Sequence, residues 1–348
     1  MILVDHTHLG RTVTGLERIT LELFGPEALA PLSIEPVTSR GTAGLIFAQQ
    51  VVIPTRLALD PSAILLAPGF PPSIPAALFG RRVVPYIHDC FLITRPQDLN
   101  RRAALYMAPA FRRAVATLPW FLVNSQTTAG ELRAFCRPDA EITLYRPEVR
   151  DVFGIGAEES ARAANRRHVA PGGRLDLIAL GTVEPRKNLA AAADIVAALR
   201  EAHGWDARLH VVGRFGWGGE AEGLKNRPGV ILHGFCDADR VRELLADAHV
   251  FVSTSHDEGL GLPLLEAQYA GLPIVAPDKP VFREVLGTSG HFVDPADPAA
   301  TAARISALVQ SPGVFAAAAA DDLGNVARWN AVAAADRSAL IDRLAPWA

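Results

Sequence analysis

Short apolar runs alternate with longer amphipathic segments along the whole chain. This alternation is typical of α/β proteins, in which buried parallel strands are separated by helices. Six strands are predicted in the first half, near Ile2–Asp5, Ser33–Thr38, Ala63–Ala67, Val83–His88, Trp120–Asn124 and Glu141–Tyr145. Six more are predicted in the second half, near Asp176–Leu180, Arg208–Val212, Val230–Gly234, Val250–Thr254, Pro273–Ala276 and His291–Val293. The pattern predicts two doubly wound domains, each with a parallel sheet.

The break between the two sets of strands falls in a polar stretch. Glu158–Gly173 combines many charges with Pro171 and paired glycines, a composition that favours a linker. We therefore expect a first domain over residues 1–165 and a second domain over residues 172–325.

The strongest local signal is the segment His256–Gly271, which reads H-D-E-G-L-G-L-P-L-L-E-A-Q-Y-A-G. It follows His249–Ser255, an apolar and β-branched run that reads as a buried strand. Pro263 suits the first position of a helix and Gly271 suits the position just after its end, so a helix of about two turns is predicted. The free N–H groups at the start of such a helix form an anion site.

Two glutamates bracket this turn, and the residues alone leave their roles open. Glu266 lies one turn into the predicted helix, where its carboxylate can accept hydrogen bonds from ribose hydroxyls, and Glu258 lies at the mouth of the same pocket. A glutamate near a helix start also stabilises the helix dipole without any ligand. Both the structural and the binding interpretation therefore stand at this point.

The same segment closely resembles the two-glutamate motif of retaining glycosyltransferases in glycosyltransferase family 4. In that family a glutamate, an E-G-F-G-L-P-like turn and a second glutamate eight positions on hold the sugar donor. Leu260 stands here where phenylalanine is common. The resemblance assigns Glu258 to the transferred sugar, Glu266 to the nucleoside side, and further donor contacts to Gly259, Leu260, Gly261 and Leu262.

A second match to the family lies upstream. Gly181–Asn188 reads G-T-V-E-P-R-K-N, and it separates the apolar run Leu175–Leu180 from the alanine-rich helix predicted over Leu189–His203. The resemblance assigns Arg186 and Lys187 to the donor diphosphate, a role that suits two cations beside a strand end. It also brings three more residues into the donor pocket, namely Gly181, Asn188 and Thr182, the last of which stands where the family often has arginine.

Other segments extend the resemblance over most of the chain. Leu209–Trp217 and Val230–Asp237 look like the family's next two strand ends, and the second implicates Gly234 and Phe235 in framing the nucleotide base. Three further segments are similar to the family's last helix, an acidic-proline turn and a tryptophan-bearing turn before the final helix: Val281–Val285, Asp294–Pro298 and Arg328–Asn330.

The amino-terminal half carries weaker matches. The apolar run Val83–Asp89 ends in His88 and Asp89. In the family a histidine at this position approaches the donor sugar across the cleft, which makes His88 a candidate; a histidine at a strand end is also compatible with a purely structural role. Asp89 is a candidate on the acceptor side or a turn cap. Thr14–Arg18 resembles the T-G-I-x-R segment of mannosyltransferase-like members, which places Gly15 near the acceptor or at a helix start.

The resemblance implies a fold and a reaction. The fold is GT-B, with two doubly wound Rossmann-like domains facing a cleft and a last helix, residues 330–348, that joins the first domain. The reaction is retaining transfer of a sugar from a nucleotide-diphospho-sugar to a glycan or lipid-linked glycan in surface polysaccharide assembly. Neither a metal nor a cofactor is needed, and Glu258, His88, Lys187 and Arg186 are the catalytic candidates. The T-G-L-E-R segment favours GDP-mannose, while GDP-fucose, dTDP-rhamnose and UDP-sugars stay open.

Other functions remain in view. A nucleotide-sugar epimerase of the same fold is one alternative, and a glycan phosphorylase is another, although the sequence indicates no Schiff-base lysine for the latter. A non-catalytic member that binds glycan is a third, against which the intact Glu258, Lys187 and Glu266 count. The first strand is not followed by G-x-G-x-x-G, which disfavours a nicotinamide dehydrogenase. Asp237 and Asp239 form a D-x-D triplet like those that bind metals, but they begin a predicted helix, where capping is the simpler role.

Composition adds limits. Of the 348 residues, 49% are hydrophobic, enough for two cores, and the net charge of −3 argues against nucleic acid as a partner. Three cysteines without a C-x-x-C pair, and a start without a signal-peptide pattern, favour the cytoplasm. No unbroken apolar run reaches the roughly 18 residues of a spanning helix. The chain has three arginine pairs, Arg101–Arg102, Arg112–Arg113 and Arg166–Arg167. All three are compatible with solvated helix faces. The segment Arg101–Arg113 is also compatible with peripheral contact at the inner membrane.

Overall fold

The computed structural model describes residues 1–10, 15–99, 103–216 and 219–348. Its packing divides the chain into unit 1, Met1–Glu148 with Ala331–Ala348, and unit 2, Val149–Asn330. Each unit contains one six-stranded sheet. Four residues named from the sequence lie outside the described part, namely Thr14, Arg101, Arg102 and Trp217.

The sheet of unit 1 is parallel throughout, and its strand order is β2-β1-β3-β4-β5-β6. The six strands confirm those predicted for the first half: β1 (Ile2–Asp5), β2 (Ile34–Val37), β3 (Ile64–Ala67), β4 (Val83–Ile87), β5 (Trp120–Val123) and β6 (Glu141–Leu144). Every residue of β1, β3, β4 and β5 is buried. Helices therefore cover both faces of this sheet, as parallel sheets require.

Seven α-helices belong to the described part of unit 1 before residue 148: α1 (Gly15–Phe24), α2 (Gly41–Phe47), α3 (Ile53–Leu59), α4 (Ile74–Ala77), α5 (Phe91–Thr94), α6 (Ala108–Thr117) and α7 (Gln126–Arg133). A π-helical turn, Ala48–Val52, joins α2 to α3 without a break. The predicted cap of α7 is confirmed, because the hydroxyl of Ser125 accepts a hydrogen bond of 3.0 Å from the N–H of Thr128.

The sheet of unit 2 is also parallel, with the strand order β12-β11-β10-β7-β8-β9. Its strands confirm the second predicted set: β7 (Arg174–Leu180), β8 (Asp206–Val212), β9 (Val230–Gly234), β10 (Val250–Val252), β11 (Ile274–Pro277) and β12 (Gly290–Val293). The chain runs from β7 through β8 to the edge strand β9 and then returns to the other side of β7 as β10. The order of the strands thus reverses between β7 and β10.

The helices after residue 148 are α8 (Gly156–Arg166), α9 (Leu189–His203), α10 (Glu220–Lys225), α11 (Ala238–Asp247), α12 (Leu262–Ala267), α13 (Pro280–Leu286), α14 (Pro298–Val309) and α15 (Val314–Leu344). The predicted helix Leu189–His203 is confirmed with its bounds. The carboxylate of Asp237 accepts a hydrogen bond of 2.9 Å from the N–H of Arg240, so the D-x-D triplet contains the cap of α11.

A helix, α8, occupies residues for which the sequence predicts a linker. Its charged residues face outward, whereas Ser160, Ala163 and Ala164 are buried. Arg167, for which a solvated position is predicted, is buried too, and its guanidinium donates to the carbonyl oxygens of Leu245, Ala270 and Gly271. Burial lowers the pKa of Arg167 to about 10. The buried face of this helix consists of small side chains, so the pattern of apolar and polar residues in the sequence does not indicate it.

The predicted turn at Arg328–Asn330 is wrong, since these residues lie inside the helix α15. No proline interrupts Val314–Leu344, and Trp329 is buried in the core of unit 2. From Ala331 onward the helix belongs to unit 1. There Asp336 accepts a hydrogen bond of 2.7 Å from the buried guanidinium of Arg146.

Candidate functional site

The loops that follow β7 and β10 meet at the point where the strand order of unit 2 reverses, the usual ligand position in such sheets. The loop after β7 contains a 3₁₀ turn, Pro185–Lys187. Its carbonyl group at Arg186 accepts a hydrogen bond of 2.8 Å from the N–H of His256 in the loop after β10. The hydroxyl of Thr254 donates to the carbonyl oxygen of Asn188 at 2.8 Å. The two motifs, far apart in sequence, thus form one structural element.

A buried carboxylate holds both cations of the first loop. Glu258 accepts hydrogen bonds from Nη1 of Arg186 at 2.6 Å and from Nζ of Lys187 at 2.5 Å. The hydroxyl of Ser255 donates to the same carboxylate at 2.8 Å, and Nη2 of Arg186 donates to Glu184 at 2.6 Å. The cluster combines two positive and two negative charges, so these four side chains are electrically balanced.

The pKa of Glu258 reflects two opposed effects. Burial alone would raise it, because a charge is poorly solvated inside the protein. The charges of Lys187 and Arg186 outweigh burial and lower the pKa of Glu258 to about 2. Glu258 is therefore ionised in this arrangement, which suits an acceptor of hydrogen bonds.

A narrow pocket opens beside this cluster at the carboxyl ends of β7 and β10. Lys187 and Glu258 line it together with Gly181, Ser253, Ser255, Gly261 and Pro263. A β-carbon at Gly181 would lie 3.3 Å from Cε of Lys187, so the glycine leaves room for the lysine side chain. Among the described residues, Glu258 is the one side chain that accepts a hydrogen bond from Nζ of Lys187. The other N–H groups of this ammonium are therefore available to a ligand in the pocket.

The predicted short helix after the glycine turn is confirmed as α12. Pro263 lies in its first turn, and a 3₁₀ turn leads to Gly271, whose φ of 59° is left-handed. The residue at the helix start, Gly261, has no side chain with which to cap it. Glu266 is buried within α12, whereas the side chain of Leu260 belongs to the hydrophobic core, so only the backbone of Leu260 is left to contact a ligand.

Gly234 is the last residue of the edge strand β9 and Phe235 follows it. Neither lines the pocket described above, and the same holds for other donor residues proposed from the sequence, namely Thr182, Arg186, Asn188, Gly259, Leu260, Leu262 and Glu266. Phe235 is 69% exposed, and the guanidinium of Arg214 lies 4.9 Å from the centroid of its ring. This ring thus presents an aromatic face next to a cation.

In unit 1, His88 lies just after β4. Its Nε2 is 2.6 Å from the carbonyl oxygen of Pro68, and since a carbonyl only accepts, Nε2 carries the proton. Burial lowers the pKa of His88 to about 4. Asp89 accepts a hydrogen bond of 3.0 Å from the N–H of Phe91, in line with a turn cap. Gly15 is the first residue of α1.

We expect His88 to stay neutral well below the usual range of histidine. A ¹⁵N NMR titration of the imidazole should show no protonation between pH 8 and about 5, because folding lowers its pKa from 6.5 to about 4. The unfolded state then binds more protons between these values, so His88 makes the free energy of unfolding fall as the pH drops from 6.5 towards 4. The His88→Gln variant identifies the signal, and a midpoint near 6.5 would contradict the burial argument.

Several residues of these sites were not identified from the sequence. Glu184 lies inside the quoted motif G-T-V-E-P-R-K-N but received no role, and Ser255 ends an apolar run. In unit 1, a β-carbon at Gly69 would lie 2.2 Å from Cε1 of His8, so the loop after β3 packs directly on that ring. The sequence does indicate a role for Glu184, because this acid lies two positions before an arginine. Nothing in the sequence around Gly69 indicates its contact with His8.

Comparison with known proteins bears on these observations. Residues 174–311 match the sequence model of the family described as glycosyl transferases group 1. The match lies within unit 2 and makes this part of the chain similar to the group 1 glycosyl transferases. It is 28% identical to the D-inositol 3-phosphate glycosyltransferase of Thermobispora bispora over 72% of this chain and 63% of that protein. It is 28% identical to the O-antigen chain mannosyltransferase B of Escherichia coli over 66% of this chain and 61% of that protein. The matched regions thus cover less than two thirds of these relatives.

Solved structures show the same fold. The crystal structure of HepE from Anabaena with UDP and glucose superposes with a TM-score of 0.69 at 16% sequence identity, and the match covers 99% of both chains. The α/β fold of this chain is therefore GT-B, as the sequence resemblance implied.

Proposed function

We propose that this chain is a retaining glycosyltransferase that moves a hexose from a nucleotide-diphospho-sugar to a glycan or lipid-linked glycan. The observation that carries the proposal is the cluster of Arg186 and Lys187 around Glu258 at the strand reversal of unit 2. Two adjacent cations beside a pocket suit a diphosphate, and an ionised carboxylate suits sugar hydroxyls. The family supports a transferase, and the glycine turn before α12 supplies further N–H donors.

The proposed chemistry is electrostatic. The bond between the anomeric carbon and the diphosphate oxygen breaks, and an acceptor hydroxyl oxygen forms the new bond to that carbon. The electron pair of the broken bond stays on the diphosphate, which accepts the hydroxyl proton and whose growing charge Arg186 and Lys187 stabilise. The diphosphate takes over N–H groups that now bind Glu258. Glu258 is then left to accept hydrogen bonds from hydroxyls of the transferred sugar, and Glu266 from the ribose. The role of His88 at the sugar stays a prediction.

The donor sugar is proposed to be mannose, carried by GDP. The support is the T-G-L-E-R segment together with mannosyltransferases among the similar proteins, for example the phosphatidyl-myo-inositol mannosyltransferase of Mycobacterium leprae. The structure of HepE contains UDP and glucose, so a sugar carried by UDP is the competing proposal for the donor. The aromatic face of Phe235 suits either base.

The acceptor is proposed to be a growing surface polysaccharide, with the enzyme in the cytoplasm. Similarity to an O-antigen mannosyltransferase supports the acceptor class. The three cysteines of this chain are free, and a reducing compartment such as the cytoplasm favours free cysteines. Unit 1 is proposed to bind the acceptor, with Gly15 and Asp89 near it.

A thermal-shift screen of GDP, UDP and dTDP tests the donor assignment. A nucleotide at a hundred times its dissociation constant adds about 2.7 kcal/mol to the stability of the state that binds it. We expect GDP to raise the melting temperature of unit 2 by about 5 °C, with less effect from the others. A flat response to all three would contradict the proposal. Turnover of GDP-mannose without an acceptor, giving an isomeric donor, would instead indicate an epimerase.

A further inference from the structure

A buried threonine joins the two loops of the candidate site. Thr254 lies shortly after the end of β10, and only 2% of it is exposed. Its hydroxyl oxygen is 2.8 Å from the carbonyl oxygen of Asn188 and 3.2 Å from that of Lys187. Because a carbonyl group only accepts, the one hydroxyl proton is shared between these two oxygens. A single side chain thus holds two successive peptide groups of the loop that carries the cations.

The backbone of this loop is strained at the same point. Asn188 has a φ of 49° and a ψ of 42°, and among the described residues it is the one non-glycine residue in the left-handed region. In that region the β-carbon crowds the following carbonyl oxygen, so the conformation is unfavourable for residues other than glycine, least so for asparagine. Asn188 ends the 3₁₀ turn Pro185–Lys187 and begins α9. The course of the backbone at Lys187 therefore depends on a residue that needs support, and Thr254 supplies it.

The residues next to Thr254 complete the attachment. The N–H of His256 donates to the carbonyl oxygen of Arg186 at 2.8 Å, so the carbonyl groups of residues 186 to 188 are all held by the segment 254–256. Between these two residues, the hydroxyl of Ser255 donates to Glu258 at 2.8 Å. The backbone of the cationic loop and the carboxylate that pairs with its side chains therefore share one support.

The side chain of Lys187 has little freedom in this arrangement. Its Nζ donates to Glu258 at 2.5 Å, and 13% of the side chain is exposed. A β-carbon at Gly181 would lie 3.3 Å from Cε of Lys187, so the end of the lysine passes close to this glycine. A shift of the lysine backbone by about 1 Å would disturb the ion pair, and misplacement on this scale lowers enzymatic rates strongly.

We infer that Thr254 is a positioning residue, whose hydroxyl fixes the turn at Lys187 and Asn188 so that Nζ of Lys187 faces the pocket beside Glu258. Thr254 also lines this pocket, but its proton is bound to two carbonyl groups, so it acts through Lys187. The placement of the lysine is a property of the fold alone. Its effect on turnover rests on the proposed function, in which Lys187 stabilises the leaving diphosphate.

The Thr254→Val variant of the full chain tests the inference, because valine has a similar shape and lacks the hydroxyl. With GDP-mannose as the donor, we expect kcat/KM to fall by about ten- to a hundredfold, with the larger part of the loss in kcat. The Thr254→Ser variant restores the hydroxyl and should recover most of this rate. Thr254→Ala, which leaves room for water beside the two carbonyl groups, should repeat the loss and replaces the valine variant if that variant does not fold.

Carbon-13 NMR of the carboxyl group of Glu258 gives a second result that needs no turnover. Burial raises the pKa of Glu258, but the charges of Lys187 and Arg186 lower it to about 2. In the unchanged protein the signal should therefore stay constant from pH 7 down to about 4. In Thr254→Val it should titrate within this range, because a displaced Lys187 no longer offsets burial, and Thr254→Ser should resemble the unchanged protein. The Glu258→Gln variant identifies the signal.

Thr301 provides the matched control. It is also buried in unit 2, with 1% exposed, and its hydroxyl donates to the carbonyl oxygen of Asp294 at 2.9 Å. Thr301→Val should lower the melting temperature about as much as Thr254→Val does, but should change neither the rate nor the signal of Glu258.

A Thr254→Val variant that matched Thr301→Val in both measurements would overturn the inference, and so would a Thr254→Ser variant no better than Thr254→Val. If the unchanged protein did not turn over GDP-mannose, the proposed donor would be wrong. The NMR titration would then decide by itself whether Thr254 positions Lys187.

Discussion

The Lys187→Ala variant should lose about a thousandfold in kcat/KM for the donor, the loss typical of removing one preorganised donor from a site of developing negative charge. Lys187 lines the pocket beside Glu258 and its side chain is 13% exposed, so water screens little of its field. The larger part of the effect should fall on kcat, because the charge on the leaving diphosphate is greatest in the transition state.

The same substitution should change the state of Glu258. The charge of Lys187 is the largest influence that lowers the pKa of this carboxyl group, so its loss lets burial raise that pKa. Arg186 would then face the two carboxylates of Glu184 and Glu258 alone. We expect a loss of about 1 to 3 kcal/mol in the free energy of unfolding, because a buried charge loses a partner.

Steady-state kinetics with the donor, together with thermal unfolding, measure both effects. Lys225, on the surface of α10 and paired with Glu222, provides the matched control, and Lys225→Ala should behave like the unchanged protein. Glu258→Ala should also lower turnover, since it removes the proposed sugar contact. Near-normal rates in both Lys187→Ala and Glu258→Ala would refute the assignment of this site.

The Gly213→Ala variant should unfold unit 2 far more easily. A β-carbon at Gly213 would lie 1.9 Å from the carbonyl oxygen of Gly181, an overlap that only movement of the backbone relieves. That backbone holds the sheet together at this point, because the N–H of Gly181 donates to Val212 and the N–H of Gly213 donates to Gly234. We expect a loss of about 4 kcal/mol, in the upper range for single substitutions.

Urea unfolding followed by circular dichroism measures this loss. Gly223 in α10 is the control, since a β-carbon there meets no atom within 4 Å, and Gly223→Ala should be neutral or stabilise by up to about 1 kcal/mol. If Gly213→Ala proved as stable as Gly223→Ala, the three strand ends at β7, β8 and β9 would not be as tightly joined as described.

The strands of both units could be predicted because a buried parallel strand appears in the sequence as a short apolar run. The helix α8 could not, since alanine and serine fill its buried face and leave only the charged side visible in the sequence. The turn expected at Arg328–Asn330 failed for a related reason. Its residues resemble a family motif, but the uninterrupted helical sequence around them decides the local structure.

The residues of the candidate site could be named from the resemblance to a known family, but their partners could not. Glu258 and Lys187 are 71 positions apart, and nothing in either motif states that the two side chains bind each other. The exposed side of the helical run Gly41–Leu59 in unit 1 could not be predicted for the same reason. Whether Phe47 or Ile53 faces water depends on which side of the helix meets the core, a property of the folded chain.

The pairing of Glu258 with Arg186 and Lys187 also bears on how a reaction cycle would end. A site built from cations alone would hold a nucleoside diphosphate tightly and release it slowly. Here a carboxylate on the adjoining loop competes for the same N–H groups, so a departing product leaves behind a neutralised pair and not two exposed charges. In the proposed enzyme, donor entry and product exit are therefore exchanges of one anion for another, and the internal anion would favour turnover over product inhibition.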